Sequence, residues 1–236
     1  MKHPVLAFGM AMVLCACSSG SSSSPSGGGP GQGGDGGADP GPDTSGSTPD
    51  LQVRPTSVYS GFDQTHTFRI PIAVYGAGKD LKVTLSDPSA ATIEPAALKD
   101  PKGDDGKWYI LTVKKVGQTS FTATAGGQSA QSSIHVVDYG RDRYAAGEKR
   151  YLNADGTKPA CTKCHGGQDG IDHSPAALAS VEDNRVETVI TTGQRISGGP
   201  IPDVEQGHRW DPSEDQLAGL VTYLRALPPK NFVGIQ

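Results

Sequence analysis

The segment Cys161-Thr162-Lys163-Cys164-His165 limits what this chain can become more than any other feature. Two thiols separated by two residues, with an imidazole directly after the second, serve one of a few chemistries. They form a disulfide or thiol redox pair, part of a metal site, or the attachment point of a haem. Which of these applies turns on the compartment and on the other ligands within the chain.

The chain begins Met-Lys-His, runs apolar from Pro4 to Leu14, and closes that run with Leu14-Cys15-Ala16-Cys17 before a series of serines. The run is too short to span a bilayer and has the order of a secretory signal. Its last four residues resemble a bacterial lipobox, whose final cysteine is lipidated after cleavage. The resemblance implies a signal peptide over 1–17 and a lipid on Cys17, since bulky Leu14 disfavours cleavage before Cys15. An ordinary signal peptide with incidental cysteines is the plainer alternative. Ser18 then implies delivery to the outer membrane, facing the periplasm or the cell surface. No other segment is long and apolar enough to cross a bilayer. A net charge of −4 gives no basic footprint, and no nucleic-acid partner is expected.

With Cys15 in the signal and Cys17 lipidated, only Cys161 and Cys164 remain to be explained. A thioredoxin-like pair needs a strand–helix–strand context, whereas this pair follows a helical pattern and a Gly-Thr-Lys-Pro loop. Zinc needs four ligands, and neither a second cysteine pair nor a closely spaced histidine pair follows. The pattern therefore predicts one covalent haem c, with Cys161 and Cys164 as thioethers to its two vinyl groups and His165 as an iron ligand. Covalent attachment prevents loss of the cofactor outside the cell. A large flat cofactor also substitutes for core in a segment poor in large apolar side chains.

Residues 18–50 are almost wholly Ser, Gly, Pro, Asp and Thr, which cannot bury enough apolar surface to offset ordering entropy. They read as a disordered tether with an r.m.s. span of about 30 Å. From Leu51 the pattern changes to short alternating segments. Phe68, Ile70, Ile72 and Val74 share one face, as do Leu81, Val83 and Leu85. Further strands are expected at Tyr109 to Val113, Phe121 to Ala125, and Ile134 to Val136, with turns at Gly76-Ala77-Gly78 and Gly126-Gly127. Pro71 inside one strand predicts an edge or a bulge. Strands at this spacing suggest a β-sandwich over 51–138.

The run Val83-Thr84-Leu85-Ser86-Asp87-Pro88-Ser89-Ala90-Ala91-Thr92-Ile93, with Val116-Gly117-Gln118-Thr119-Ser120-Phe121-Thr122-Ala123-Thr124-Ala125-Gly126-Gly127, resembles bacterial Ig-like repeats. Asp100 to Lys107 departs from their compact hairpin by being longer and charged. Fold likeness supplies no ligand. His66 and His135 are expected to face solvent. Trp108 reads as a core or edge aromatic, with a sugar platform for polysaccharide as the alternative.

After Tyr139 the period becomes helical. Tyr144, Gly147 and Tyr151 mark a first helix, ended by Asn153 to Gly156. Pro175 to Val181 suggests a short second, and Asp183 to Thr191 a third with Val186, Val189 and Ile190 inward. Asp211 as N-cap, Pro212 at the first position and Glu214 three residues after the cap predict the start of the last helix. Leu217, Leu220, Val221, Leu224 and Leu227 form its apolar stripe until Pro228-Pro229.

Gly147-Glu148-Lys149-Arg150-Tyr151, the haem motif, and Leu220, Val221, Tyr223 and Leu224 together make the segment from Tyr139 to Pro229 resemble a small class I cytochrome c domain. The resemblance implies a multidomain fold class: an N-terminal all-β Ig-like sandwich followed by a C-terminal all-α cytochrome c fold over 139–236. It implies that the two terminal helices cross near a haem edge. It also implies that Pro175, in Ser174-Pro175, offers its carbonyl to the His165 ring, which would orient the ring and raise its basicity.

Most members of that family supply a methionine as sixth ligand, and this chain departs from them. Its three methionines, Met1, Met10 and Met12, all lie in the signal, and the loop Gly198-Gly199-Pro200-Ile201-Pro202 has none. The remaining candidates are His208, His173, Lys163, water or an empty position. His208, immediately before the last helix, is the expected distal ligand. His173 follows too closely on His165 to reach the far face. Trp210 and Tyr223 either line the haem crevice or are ordinary core.

The expectation is a membrane-anchored, extracytoplasmic mono-haem electron-transfer protein and not an enzyme, its partners being redox proteins and, through the lipid, a membrane. Two other readings remain open: a haem sensor or small-ligand enzyme with an open sixth position, and a surface adhesion or scaffold protein. No Ser-His-Asp set, facing carboxylate pair or phosphate loop is present to suggest a hydrolase or transferase. The acidic residues Glu182, Asp183, Asp203, Glu205, Glu214 and Asp215 either steer a basic partner or form an ordinary solvated surface.

Overall fold

The computed structural model describes residues 50–156, 158–165, 171–201 and 208–235. The expected signal peptide, Cys17 and all of the tether but Asp50 lie outside the described residues, as do Pro202, Asp203 and Glu205. No helix among the described residues is long and apolar enough to cross a membrane.

The strands are β1 (Gln52–Arg54), β2 (Ser57–Phe62), β3 (Arg69–Tyr75), β4 (Lys82–Leu85), β5 (Ala91–Ala96), β6 (Lys107–Val113), β7 (Gly117–Ala125) and β8 (Gln128–Asp138). They form two four-stranded sheets, β1-β3-β6-β5 and β2-β8-β7-β4. All pairings are antiparallel except β2 with β8, which is parallel. The alternating residues set one face of each strand inward: Phe68, Ile72, Leu111 and Phe121 are fully buried, and Tyr109 of one sheet meets Phe121 of the other at 5.8 Å between ring centroids. Burying each such side chain contributes about 1.5–3 kcal/mol.

In β3 the burial is continuous from Ile70 to Val74. One face meets the core, and Pro71 and Ala73 on the other are covered as well. Strand β1 pairs only with Ala73, Val74 and Tyr75, so at Pro71 the strand has β6 as its single neighbour. A residue without an N–H is tolerated at such a position.

The helices are α1 (Arg143–Leu152), α2 (Thr162–His165), α3 (Pro175–Leu178), α4 (Asp183–Thr192) and α5 (Glu214–Ala226). The last begins two residues later than expected. Its N-cap is Ser213, which accepts from the Gln216 N–H while the Gln216 side chain reaches back to the Ser213 N–H. Asp211 and Glu214 offered the same three-residue spacing, but the reciprocal pair forms two residues further on.

The expected fold class is corrected. Of the described residues 24% are helical and 34% strand, most of the structure is two β-sheets with small helices, and no all-α class I cytochrome c domain is evident. The reason lies in how little each helix can bury by itself. Both α2 and α3 have four residues, so the helical segment completes its packing on the sheets. The Tyr59 N–H of β2 donates to the Ala179 carbonyl at 2.8 Å. Phe232 packs edge-on against Trp108 of β6 at 5.4 Å, and Leu98 and Phe232 form a bridge. One cluster of buried apolar residues runs from Leu51 through Phe121 to Tyr151 and Leu224.

A polar node fastens the same junction. Arg225, 1% exposed, donates to Asp183 at 2.7 and 3.1 Å, to the Leu178 carbonyl at 2.6 Å and to the Val181 carbonyl. The Tyr139 hydroxyl, at the end of the second sheet, donates to the other Asp183 oxygen at 2.6 Å. Burial, and after it the Asp183 charge, pushes the Tyr139 hydroxyl far above its ordinary value.

Two histidines expected in solvent are half-buried, each against another ring. His66 lies in the loop before β3, with Nδ1 2.6 Å from the buried Asp63 carboxylate and its ring stacked on Tyr144 at 3.5 Å. His135 of β8 stacks on Tyr59 at 5.2 Å.

Candidate functional site

Cys161 opens the short turn that forms α2. The N–H groups of Cys164 and His165 both donate to the Cys161 carbonyl, at 3.2 and 3.1 Å. The turn leaves Cys161 half-buried against the core, Cys164 exposed and both thiols free. Burial raises the Cys161 thiol above its ordinary value, against the opposing charge of Arg150.

His165 ends the turn, and two further histidines converge on it. The His173 ring stacks face to face at 3.6 Å and 27°, and the His208 ring stands edge-on at 6.1 Å and 89°. In all three rings Nδ1 is buried and has no hydrogen-bond partner. Two of the rings, His165 and His173, are pushed toward the neutral form. Burial, then the neighbouring His208, lowers His165 against a hydrogen bond to the backbone of Ile171, while burial, then His165 and His208, pushes His173 down to about 3. Neutral imidazoles with uncommitted nitrogens are in the form that ligates a metal.

Each ring is placed by its own element. Ser174 caps α3, accepting from Ala176 N–H, and its hydroxyl also accepts from Lys230 N–H, which fixes the chain next to His173. Helix α4 ends at Gly193 in the left-handed region, φ 68°, where a Cβ would lie 2.2 Å from the His208 carbonyl. Glycine there lets the His208 backbone lie against the helix end. The Trp210 N–H donates to the Ile190 carbonyl at 3.0 Å and secures the same segment.

The wall around the rings is aromatic and cationic. Tyr151 of α1 lies 6.4 Å from His173 and 5.1 Å from Tyr223 of α5, and burial followed by Cys161 pushes its hydroxyl up to about 12. Trp210 stands edge-on to His208 at 6.3 Å, with the Arg150 guanidinium 4.5 Å from its ring centroid and Lys158 Nζ at 5.9 Å.

Sequence reasoning named Cys161, Cys164, His165 and His208, and the structure brings their segments together with Trp210. The Pro175 carbonyl accepts from Ala179 N–H within α3. His173, set aside for its nearness in sequence, is the closest ring to His165. Arg150 and Lys158 were not singled out. Arg150 shares the buried face of α1 with Gly147 and Tyr151, and a charge at that helical spacing was the available signal. Trp108 borders a cleft of about 550 Å³ with Arg54, Pro55, Pro71, Ala176 and Ala179, and none of the three histidines lines it.

Among the described residues no group of three or more His, Cys, Asp or Glu is arranged to hold a bare metal ion. Three inward-facing imidazoles with orphaned nitrogens, beside two free thiols at attachment spacing, do fit a haem, whose porphyrin supplies the remaining ligands. No family model matches the chain and no curated protein matches it, so the expected memberships in class I cytochromes c and bacterial Ig-like repeats have no support from relatives.

Proposed function

We propose that this chain is an extracytoplasmic, membrane-anchored electron carrier with one haem c. The observation that supports this reading is the group of buried, unpartnered imidazole nitrogens of His165, His173 and His208 gathered at the CxxCH turn. A buried polar atom without a partner is costly and marks a place where a bond is missing. A haem iron supplies a one-electron couple without any need for substrate-activating residues.

Cys161 and Cys164 would hold the cofactor through thioethers, and His165 and His208 would be the side chains that ligate its iron. Imidazole lone pairs lie in the ring plane, so the stacked rings of His165 and His173 cannot both point at one ion between them. The perpendicular pair, 6.1 Å between ring centroids, is not stacked in this way. Tyr151, Tyr223 and Trp210 exclude water from the site. Cys17 carries the lipid that ties the protein to a membrane, and the partners are other redox proteins.

The test is expression of the full chain in a host with a haem c maturation system. Intact-protein mass should rise by one haem, and the alkaline pyridine spectrum should report two saturated vinyl groups. Cys161→Ala with Cys164→Ala should abolish the covalent adduct. A native chain exported without haem would end this reading.

A further inference from the structure

The chain holds two arginines that are almost wholly buried, and they are treated differently. Arg225 is paired with the carboxylate of Asp183. Arg150, 5% exposed, has neutral partners: the carbonyl of Asn153 at 2.9 Å, that of Pro159 at 3.4 Å from both terminal nitrogens, and the face of Trp210. Those contacts use three of the five N–H donors of a guanidinium. Ion pairs join His66 to Asp63, Lys115 to Asp87 and Arg225 to Asp183, and among the described residues Arg150 has no such carboxylate partner. A second cation, Lys158, lies by the same indole ring and donates to the Arg209 carbonyl at 3.1 Å. Buried charges are ordinarily paired, because an uncompensated one costs several kcal/mol.

The location says what the counter-ion is. Pro159, held by Arg150, lies two residues before Cys161, and the Arg150 charge acts on the Cys161 thiol. Trp210 joins the guanidinium to the His208 side of the site. The anion must therefore sit beside the attachment point. We propose that Arg150, assisted by Lys158 across Trp210, binds a propionate carboxylate of the tetrapyrrole attached at Cys161 and Cys164. This rests on the haem reading and deepens it. The plainer role of Arg150 is to cap the C-terminus of α1 through Asn153 and to brace the loop. That role accounts for the carbonyl contacts and leaves the charge uncompensated among the described residues.

The two roles separate by removing charge from the ligand instead of the protein. In the full chain with Cys161→Ala and Cys164→Ala, haem binds without covalent bonds. It is titrated as iron protoporphyrin IX and as the dimethyl ester of the same compound, followed by Soret absorbance. The free acid should bind about tenfold or more tightly than the ester. Arg150→Gln should erase the preference by weakening the acid alone, and Arg150→Lys should keep part of it. Equal weakening of both forms by Arg150→Gln, or an ester that binds the parent as well as the acid does, overturns the proposal. Where the cysteine-free chain binds neither form, the covalently loaded native protein decides. Its resonance Raman propionate-bending band should move on Arg150→Gln, and an unmoved band overturns the assignment. Absence of any haem on the native chain would instead remove the underlying reading.

Discussion

Gly147 of α1 and Gly219 of α5 touch where the two helices cross. A Cβ on Gly147 would lie 1.8 Å from the Gly219 carbonyl oxygen, and one on Gly219 would lie 2.5 Å from the Gly147 nitrogen. The obstructing atoms are backbone, so no side-chain rotation relieves the clash, and a methyl group at either position must push the helices apart. Gly147→Ala should therefore destabilise the fold by about 1–3 kcal/mol or more, although alanine is the better helix former. Urea denaturation followed by far-UV circular dichroism checks this. Tyr151 and Tyr223 lie on the same two helices, so the variant should also reduce haem incorporation at a given expression level.

Arg225 joins α5 to the Asp183 carboxylate and to two carbonyls, and Asp183 in turn takes the Tyr139 hydroxyl from the end of β8. Arg225→Ala leaves these acceptors facing a void, and a loss of about 3 kcal/mol is expected. Tyr139→Phe removes one hydrogen bond and should cost about 1 kcal/mol. Because one apolar cluster spans sheets and helices, tryptophan fluorescence and circular dichroism should unfold together in both variants. A helical signal lost well before the sheet signal would contradict the shared core.

Asp63 is buried and accepts from the N–H groups of Thr65 and His66, at 2.9 and 2.7 Å, and pairs with the His66 ring. Burial acts to raise its carboxyl, but these bonds outweigh burial and hold it below the ordinary carboxylate value. The sign follows by linkage. A carboxyl with a lower value in the folded state contributes stability above the unfolded value of about 4, and loses it as pH falls through the folded value. Acid titration of stability should show a loss below about pH 4 that is smaller in Asp63→Asn, measured as urea midpoints between neutral pH and pH 3.

The residues that announced themselves in the sequence were those whose local pattern also decides their environment. Ile70, Ile72 and Val74 alternate because one face of β3 is core, and the stripe of α5 repeats at helical spacing, although that helix is buried on every side from Gly219 to Arg225. Strands β1, β2 and β5 were not foreseen. The first is three residues long, β2 carries Ser60 and Gly61 at its centre and pairs in parallel with a distant strand, and β5 contains Pro95. Periodicity shows that a helix has an apolar face without showing what covers it. The helices after Asp138 were therefore assigned a domain of their own, when Tyr139, Ala179 and Phe232 pack them on the sheets. In the site, CxxCH was legible from spacing alone. His173 and Arg150 were not, because their roles depend on the chain folding back between Cys164 and α4.

His173 and His208 make opposite predictions for the loaded protein. His173 lies flat on His165 at 3.6 Å, on whichever side His165 occupies, whereas His208 stands across from it at 6.1 Å and at a right angle. Two imidazoles on opposite sides of one iron give a low-spin centre with a potential below that of a His/Met relative. His208→Ala should convert the visible spectrum to high spin and open the iron to carbon monoxide or cyanide. His173→Ala should leave the spin state unchanged, and its effect should be confined to stability, since the ring fills space beside Tyr151. The reverse result, with low spin lost in His173→Ala and kept in His208→Ala, would mean that haem binding turns the segment after α2 over to the far face and exchanges the two roles. Gly193→Ala provides the independent check. Its methyl group would meet the His208 carbonyl and displace only that segment, so it should weaken the low-spin signal if His208 is the ligand and leave it intact if His173 is.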